Sequence, residues 1–432
     1  MDLQTLKYAE EWISRQVDQG EFPFATLKVY KLGQGVVSNF SKGFMDENET
    51  KANEDTILRL ASNTKLITAV GVMICVERGL IQNILDPLKE YIPSFANMRV
   101  KGSNTFGEGT VKAKRDITIQ DVLTTTAGLS FGIAYNQYPE FRDKEILKTM
   151  NLEKYIDMIA ARPLHCHPGE RWAYSSSWAV LGRLIEVVSG KSFPDFLQEN
   201  IFDPLGMNDT KFYVEEAKAN RLASLYTKKD RKGIVAALGT LNSDSKFDAI
   251  PQPVRPGSNG KLKLVTTQRL NSFSDKERLL RVPNGGGGLL STTKDYLTFM
   301  TMLCDGCVSS SGKRIIGQGT IEYMMINHLP DGKDIAQMGG DNFGGITRKG
   351  QGFGLGGAVI TNPAMFGVNA SVNEYCWGGA YRTFSWVDRT AGVAVFFGTQ
   401  VITDDIRYRR VLRNLVNSAL MEKSWPSRLA RL

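Results

Sequence analysis

Residues 58–79 read LRLASNTKLITAVGVMICVERG. Lys65 follows Ser62 by three places, and the run beyond it is almost wholly apolar until Glu77 and Arg78 close it. The spacing predicts a helix over 62–79 with Ser62 and Lys65 one turn apart on the same side. A helix that is apolar nearly all round belongs in the middle of a fold. Burying an ammonium there is costly unless it is paired or gives up its proton. A serine nucleophile at the positive end of the helix dipole can use such an amine, because burial depresses the lysine's pKa and leaves it a neutral base.

Spacing alone does not single out Ser62. The S-x-x-K pattern occurs five times, at Ser62, Ser243, Ser258, Ser291 and Ser310. Ser243, Ser258 and Ser310 lie in polar, turn-like stretches that give a nucleophile no rigid support. Ser291 precedes an amphipathic helix and reads as its N-cap. Only Ser62 opens a central apolar helix. A rival motif, Gly128-Leu129-Ser130-Phe131-Gly132, has the G-x-S-x-G form. A nucleophile elbow needs a strand before the serine and a helix after it. Here ITIQDVLTTTAG (117–128) reads instead as a helix capped by Thr118 with Asp121 three places on, and His328 would have to be the base. Gly352, Gly354 and Gly357 form a G-x-G-x-x-G, but strand-like AVIT follows, which excludes a dinucleotide fingerprint. The run Gly285–Gly288 lacks a following G-K-[ST] and reads as backbone passing close to a neighbour or a ligand.

Around the central helix the pattern is mixed. An amphipathic N-terminal helix carries Leu3, Leu6, Ile13 and Val17 on one face, and FATLKVYKLG (24–33) and GVVSNFSKGF (35–44) form a hairpin. Short strands recur near the other end in GLGGAVIT, TFSWVD and AGVAVFFGTQ, and helical spacing returns over 404–420. Helices are expected at 62–79, 118–124, 145–161, 177–189, 193–201 and 294–303. The fold class is therefore α/β (α+β): an antiparallel sheet flanked by helices, built from both chain termini, with a mostly helical lobe inserted. Its expected parts are 1–61, 62–340 and 341–432. Residues 228–284, polar and Pro-rich, stand apart as a long loop insertion of lid or binding-loop type.

Bulk properties narrow the chemistry. The chain has 432 residues, 42% hydrophobic and 23% charged, with a net charge of +8 and five cysteines. No run reaches the ~18 apolar residues of a membrane span. The odd cysteine count and the absence of a secretory leader point to a reducing compartment. Cys304-x-x-Cys307 and His165-Cys166-His167 lack the further ligands of a metal site, so no metal and no cofactor is expected. Basic clusters at 112–115, 228–233 and 407–410 are far apart and read as solvated charge, so no nucleic acid partner is expected. The end Ala430-Arg431-Leu432 fits a peroxisomal address as well as a cytoplasmic protein.

If Ser62 and Lys65 are chemical, a second proton-transfer group and two oxyanion donors are required. PGERWAYSSSWAVLGRLIEVVSG (168–190) offers Tyr174, and EYCWGGAYRTFSWVD (374–388) offers a glycine pair before a strand. The ordered set SNTK, YSS, WGG resembles the class C β-lactamase and penicillin-binding-protein superfamily. It is most similar to the esterase branch (family VIII carboxylesterases) and to fungal transesterases that acylate polyketides. DVLTTTAGLS, GGGGLLSTTKDYLTFM and GFGLGGAV look like family segments in family order. The resemblance implies Ser62 as acyl-accepting nucleophile, Lys65 and Tyr174 as its proton relay, and the amides of Ser62 and Ala380 as oxyanion donors beside Gly378 and Gly379. It implies a small-molecule acyl ester as substrate.

Two positions depart from the pattern. Trp377 stands where penicillin-recognising members carry lysine or histidine, and Ser176 where β-lactamases carry asparagine. Both lean toward ester substrates. β-Lactam or D-amino-acid peptide turnover, and a non-catalytic ligand-binding role, stay open as alternatives. Arg382, nearby in sequence, is a candidate to supply that missing cation, although an arginine starting a strand is more often solvated.

Overall fold

The structure, a computed structural model, describes residues 1–102, 109–129, 149–175, 177–228, 262–265, 280–306, 312–340, 345–403 and 405–420. Its main sheet has seven antiparallel strands. In spatial order these are Gly35–Gly43, Phe24–Lys31, Val393–Gly398, Phe384–Asp388, Tyr375–Gly378, Ala358–Ile360 and Gln351–Phe353. The N-terminal hairpin thus joins the C-terminal strands edge to edge, with Leu27 opposite Phe397 and Val29 opposite Val395. Both chain ends complete one sheet, as expected.

The apolar run VAVFFG explains how that sheet is covered on two sides. Successive side chains of a strand point to opposite faces. Phe397 packs 5.6 Å from Phe22 and from Tyr408, under the terminal helices Leu3–Asp18 and Tyr408–Ser418. Phe396 packs 4.6 Å from Tyr296 of the helix Thr293–Asp305 on the other face. A strand buried on both faces must be continuously apolar rather than alternating.

The helix Thr64–Glu77, preceded by a short 3₁₀ turn over Ala61–Asn63, is buried without a break from Thr64 to Cys75. It crosses the helix Ser177–Ser189 at Gly71, where an added Cβ would lie 3.1 Å from both Ile185 Cδ1 and Leu197 Cδ2. This close crossing fixes Ser62 relative to the segment that carries Tyr174. No helix among the described residues is long and apolar enough to cross a membrane.

Several expectations need correction. Ser291 is not a cap: it lies in the strand Leu290–Thr292, paired with Ile57–Arg59, and Thr292 accepts the capping hydrogen bond from the Asp295 amide. The expected helix 193–201 is α only over Phe193–Leu197 and widens into a π turn over Gln198–Phe202. The stretch 228–284 is not entirely irregular. Leu225–Lys228 pairs antiparallel with Leu262–Val265, and Val401–Ile402 adds a parallel third strand. The rest of that stretch lies outside the described residues, as do Ser130, Ser176, Cys307 and Ala430–Leu432.

Thr118 caps the helix Ile119–Leu123 through a reciprocal box with Asp121. That helix matters to the site, because the Thr125 carbonyl at its end accepts the Ala173 amide at 2.9 Å, one residue before Tyr174. Thr118→Ala is expected to lower stability by about 1 kcal/mol, read as a fall in Tm with little change in the site's chemistry.

Candidate active site

Ser62 sits on a strained turn. Ala61 immediately before it has φ 47°, in the left-handed region that a residue with a Cβ seldom adopts. The turn is pinned from four sides. The Thr64 hydroxyl donates to the Ala61 carbonyl at 2.8 Å and accepts the Leu289 amide at 3.2 Å. Thr383 Oγ1 donates to the Leu60 carbonyl at 2.8 Å, the Tyr296 hydroxyl to the Asn63 carbonyl at 2.8 Å, and Ser385 Oγ to Asn63 Oδ1 at 3.0 Å. Strain of this kind persists only where the surroundings over-determine it, and it marks functional turns.

Three of the expected residues converge here. The Ser62 and Tyr174 hydroxyls share a hydrogen bond of 2.6 Å, although 112 positions separate them in the chain. Lys65 lies beneath, only 3% exposed, with Nζ 4.8 Å from the Tyr174 ring centroid and 5.7 Å from that of Trp178. Burial pushes the Lys65 pKa below its ordinary value, and the Tyr174 hydroxyl, through charge and a hydrogen bond, pushes the other way. Ser62 and Tyr174 are themselves half-buried, whereas Lys65 is buried.

Sequence reasoning missed the amine's other partner. Lys65 Nζ donates to the Gly286 carbonyl, and Thr68 Oγ1 donates to the Gly285 carbonyl at 2.7 Å. At Gly285 an added Cβ would lie 2.5 Å from the Trp178 carbonyl, and at Gly286 3.3 Å from Lys65 Nζ itself. The glycine run is therefore the floor under the lysine. Its signal was the run itself, read correctly as a close approach but not assigned to Lys65.

The WGG segment borders the same turn. An added Cβ at Gly379 would overlap the Leu60 carbonyl oxygen and Thr383 Oγ1, and would lie 3.1 Å from Ala61 Cβ. Only glycine lets this backbone approach the Ser62 turn. Ala380 follows, exposed. Among the described residues neither the Ser62 nor the Ala380 amide donates to a protein acceptor. Gly378 is held from behind: an added Cβ would lie 2.5 Å from Arg409 Cζ, and Arg409 Nη2 donates to the Gly379 carbonyl at 3.2 Å.

Trp377 is buried, stacked on the Tyr174 ring at 5.8 Å and 29°, with Phe353 edge-on at 5.3 Å. Trp172 closes the group at 6.0 Å from Tyr174. The phenol is thus clamped by aromatic faces, two of which, Trp172 and Phe353, the sequence did not flag. Arg382 overturns its expectation. It is 4% exposed, lies 5.2 Å over the Phe22 ring and 5.5 Å over Tyr408, and takes no place beside Tyr174. His328 Nε2 lies 2.7 Å from the Tyr323 carbonyl, with its ring edge-on to Tyr323. Among the described residues no group of His, Cys, Asp and Glu is clustered as a metal site, and His167 Nδ1 accepts the Lys114 amide at 3.2 Å.

The beta-lactamase family model matches residues 9–413. The chain belongs to the beta-lactamase family. Within it the chain is similar to esterase EstB of Burkholderia gladioli, 27% identical over 385 residues that span 86% of this chain and 82% of EstB. It is also similar to the monacolin J acid methylbutanoyltransferase of Aspergillus terreus, 33% identical over 165 residues, or 38% of this chain and 39% of that enzyme. Among solved structures, EstCE1, described as a hydrolase with promiscuous acyltransferase activity, superposes with a TM-score of 0.71 over 97% of this chain and 99% of its own, at 21% identity. That last likeness establishes the fold alone. Relatives of this chain thus include an esterase and an acyltransferase.

Proposed function

We propose that this beta-lactamase-family chain cleaves small-molecule carboxylic esters through an acyl-enzyme on Ser62, passing the acyl group to water or to an alcohol. The observation that carries this reading is the 2.6 Å bond between Ser62 and Tyr174 with a buried Lys65 directly below it. Lys65, depressed in pKa by burial, takes the phenolic proton of Tyr174. The resulting phenolate accepts the Ser62 proton as Oγ attacks the acyl carbon. The oxyanion is met by the amides of Ser62 and Ala380. The phenol then returns its proton to the departing alkoxide, which leaves as an alcohol. Water or an acceptor alcohol repeats the sequence in reverse and restores the Ser62 hydroxyl.

Esters are favoured over β-lactams by what surrounds the phenol. Trp377 offers an uncharged ring where a cation would be needed to hold a substrate carboxylate, and Arg382 is committed to Phe22 and Tyr408. The esterase and acyltransferase activities of the relatives support the same choice.

Labelling decides the matter. A fluorophosphonate probe followed by intact mass is expected to give one adduct per chain, absent in Ser62→Ala and kept in Ser291→Ala, whose hydroxyl is buried against Thr210 Oγ1 at 2.7 Å. No adduct on the folded wild-type protein would leave a ligand-binding protein in place of an enzyme.

A further inference from the structure

Gln400 is fully buried, a place where an amide side chain is costly unless its polar atoms are met. Backbone meets them. Oε1 accepts the Arg59 amide at 3.0 Å, while Nε2 donates to the Arg59 carbonyl at 3.2 Å and to the Thr399 carbonyl at 2.8 Å. The reason for this pairing lies in the strand Ile57–Arg59. One edge of that strand pairs with Leu290–Thr292. In an antiparallel pair, alternate residues turn their N–H and C=O groups away from the partner. Ile57 and Arg59 do so here: the Ile57 carbonyl accepts the Ala223 amide at 3.0 Å, and both backbone groups of Arg59 go to Gln400. The side-chain amide thus reproduces both bonds of a neighbouring strand. A methionine of similar length would fill the same space and leave these bonds unmade.

The pairing joins the two halves of the oxyanion site, although Arg59 and Gln400 are 341 positions apart in the chain. Arg59 stands three residues before Ser62, at the entry to the strained turn. Immediately beyond Gln400, the Val401 amide donates at 3.2 Å to the carbonyl of Tyr381, the residue after Ala380. A second tie runs alongside, from Thr383 Oγ1 to the Leu60 carbonyl at 2.8 Å. One hydrogen bond between two segments is a pivot. Ties at two separate points remove the rotation, so the Ser62 turn and the loop carrying Ala380 are held as one body. The Gln400 carbonyl accepts the Tyr226 amide at 3.0 Å, which anchors the brace itself. Oxyanion stabilisation needs both donors within hydrogen-bond range of a single oxygen. Amides on segments so distant in sequence keep that spacing only if something spans them.

We propose that Gln400 is a positioning residue that sets the spacing between the Ser62 and Ala380 amides. Being buried, it acts through Arg59 on one side and Tyr381 on the other. Its effect on turnover rests on the ester-cleaving reading above; its effect on the spacing does not.

Gln400→Met keeps the length of the side chain and removes its three hydrogen bonds. Gln400→Asn, one methylene shorter, is the milder change and carries the comparison if the first variant fails to fold. Crystal structures of variant and wild type are expected to differ by about 0.5 Å or more in the separation of the Ser62 and Ala380 amide nitrogens. On a neutral p-nitrophenyl ester, kcat per active site, with sites counted by fluorophosphonate titration, is expected to fall by about 10–100-fold while KM stays nearly unchanged. Damage to the core without a positioning role would lower the count of active sites and leave kcat per site as it was. An unaltered amide separation overturns the proposal, whatever the rate does. A changed separation with wild-type kcat per site overturns its bearing on turnover. If the wild-type protein turns over no ester, the ester-cleaving reading falls, and the comparison of amide separations still decides the role of Gln400.

Discussion

Lys65→Met lowers the acylation rate on a p-nitrophenyl ester by about 10²–10⁴-fold while the protein becomes no less stable. The two halves of this expectation have one cause. Lys65 is buried against Tyr174, Trp178 and the Gly286 carbonyl, where its charged form is disfavoured. Folding must therefore depress its proton affinity, and between the depressed value and the ordinary one near 10.5 the unfolded chain binds more protons. Stability contributed by this group accordingly rises with pH across that window and is lower on its acid side. Methionine has nearly the same length and no charge to desolvate, so the neutral-pH penalty vanishes together with the base. Wild-type acylation should rise with pH as Lys65 deprotonates, along a limb centred below the ordinary lysine value, and the Met variant should lose that limb. Stopped-flow acylation and thermal melts from pH 6 to 10 on both proteins measure the two effects together. A variant that acylates at the wild-type rate with the same limb would remove Lys65 from the mechanism.

The sequence made the framework readable where pattern and physics coincide. Continuous apolar runs such as VAVFFG imply a strand covered on both faces, and the run after Lys65 implies a central helix; both are where they were expected. Ser62 stood out among five S-x-x-K serines because helix burial is visible in composition. Partners brought in by backbone carbonyls were not visible. The Gly286 carbonyl that receives Lys65 leaves no side-chain signature, only a glycine run. Charged residues were misread for a related reason. Arginine in a sequence suggests solvent, yet Arg382 lies over the rings of Phe22 and Tyr408 and Arg409 over that of Phe384, which are far from them in sequence or brought in by the fold. A guanidinium plane can be buried on such faces where an ammonium would resist it. Ser291 was displaced by one position because Thr292 has the same capping chemistry, and the strand partner Ile57–Arg59 decides which of the two lies in the sheet.

Gly379→Ala is expected to lower kcat by about 10²–10³-fold with KM for a neutral ester nearly unchanged. The new methyl group has no room: it would overlap the Leu60 carbonyl oxygen and Thr383 Oγ1, and Ala61 Cβ closes the third side at 3.1 Å. Two of those three neighbours belong to the strained turn that presents Ser62, so the strand cannot yield by moving toward them. It must move away, and the Ala380 amide goes with it. An oxyanion donor acts only at hydrogen-bond range of an oxygen that carries full charge in the transition state, so a shift of a few tenths of an ångström weakens the transition state far more than the bound ester. The Gly379 amide also donates to the Thr383 carbonyl at 2.8 Å, and Thr383 Oγ1 in turn holds Leu60. Overpacking here should therefore cost about 1–3 kcal/mol of stability as well. Fluorophosphonate labelling distinguishes the positioning effect from unfolding. A folded variant should still label at Ser62, but more slowly, because Lys65 and Tyr174 are untouched while the charged intermediate has lost a donor. Equal loss in kcat and in binding of a non-hydrolysable ester analogue would mean instead that Gly379 shapes the substrate pocket and the Ala380 amide does not meet the developing charge.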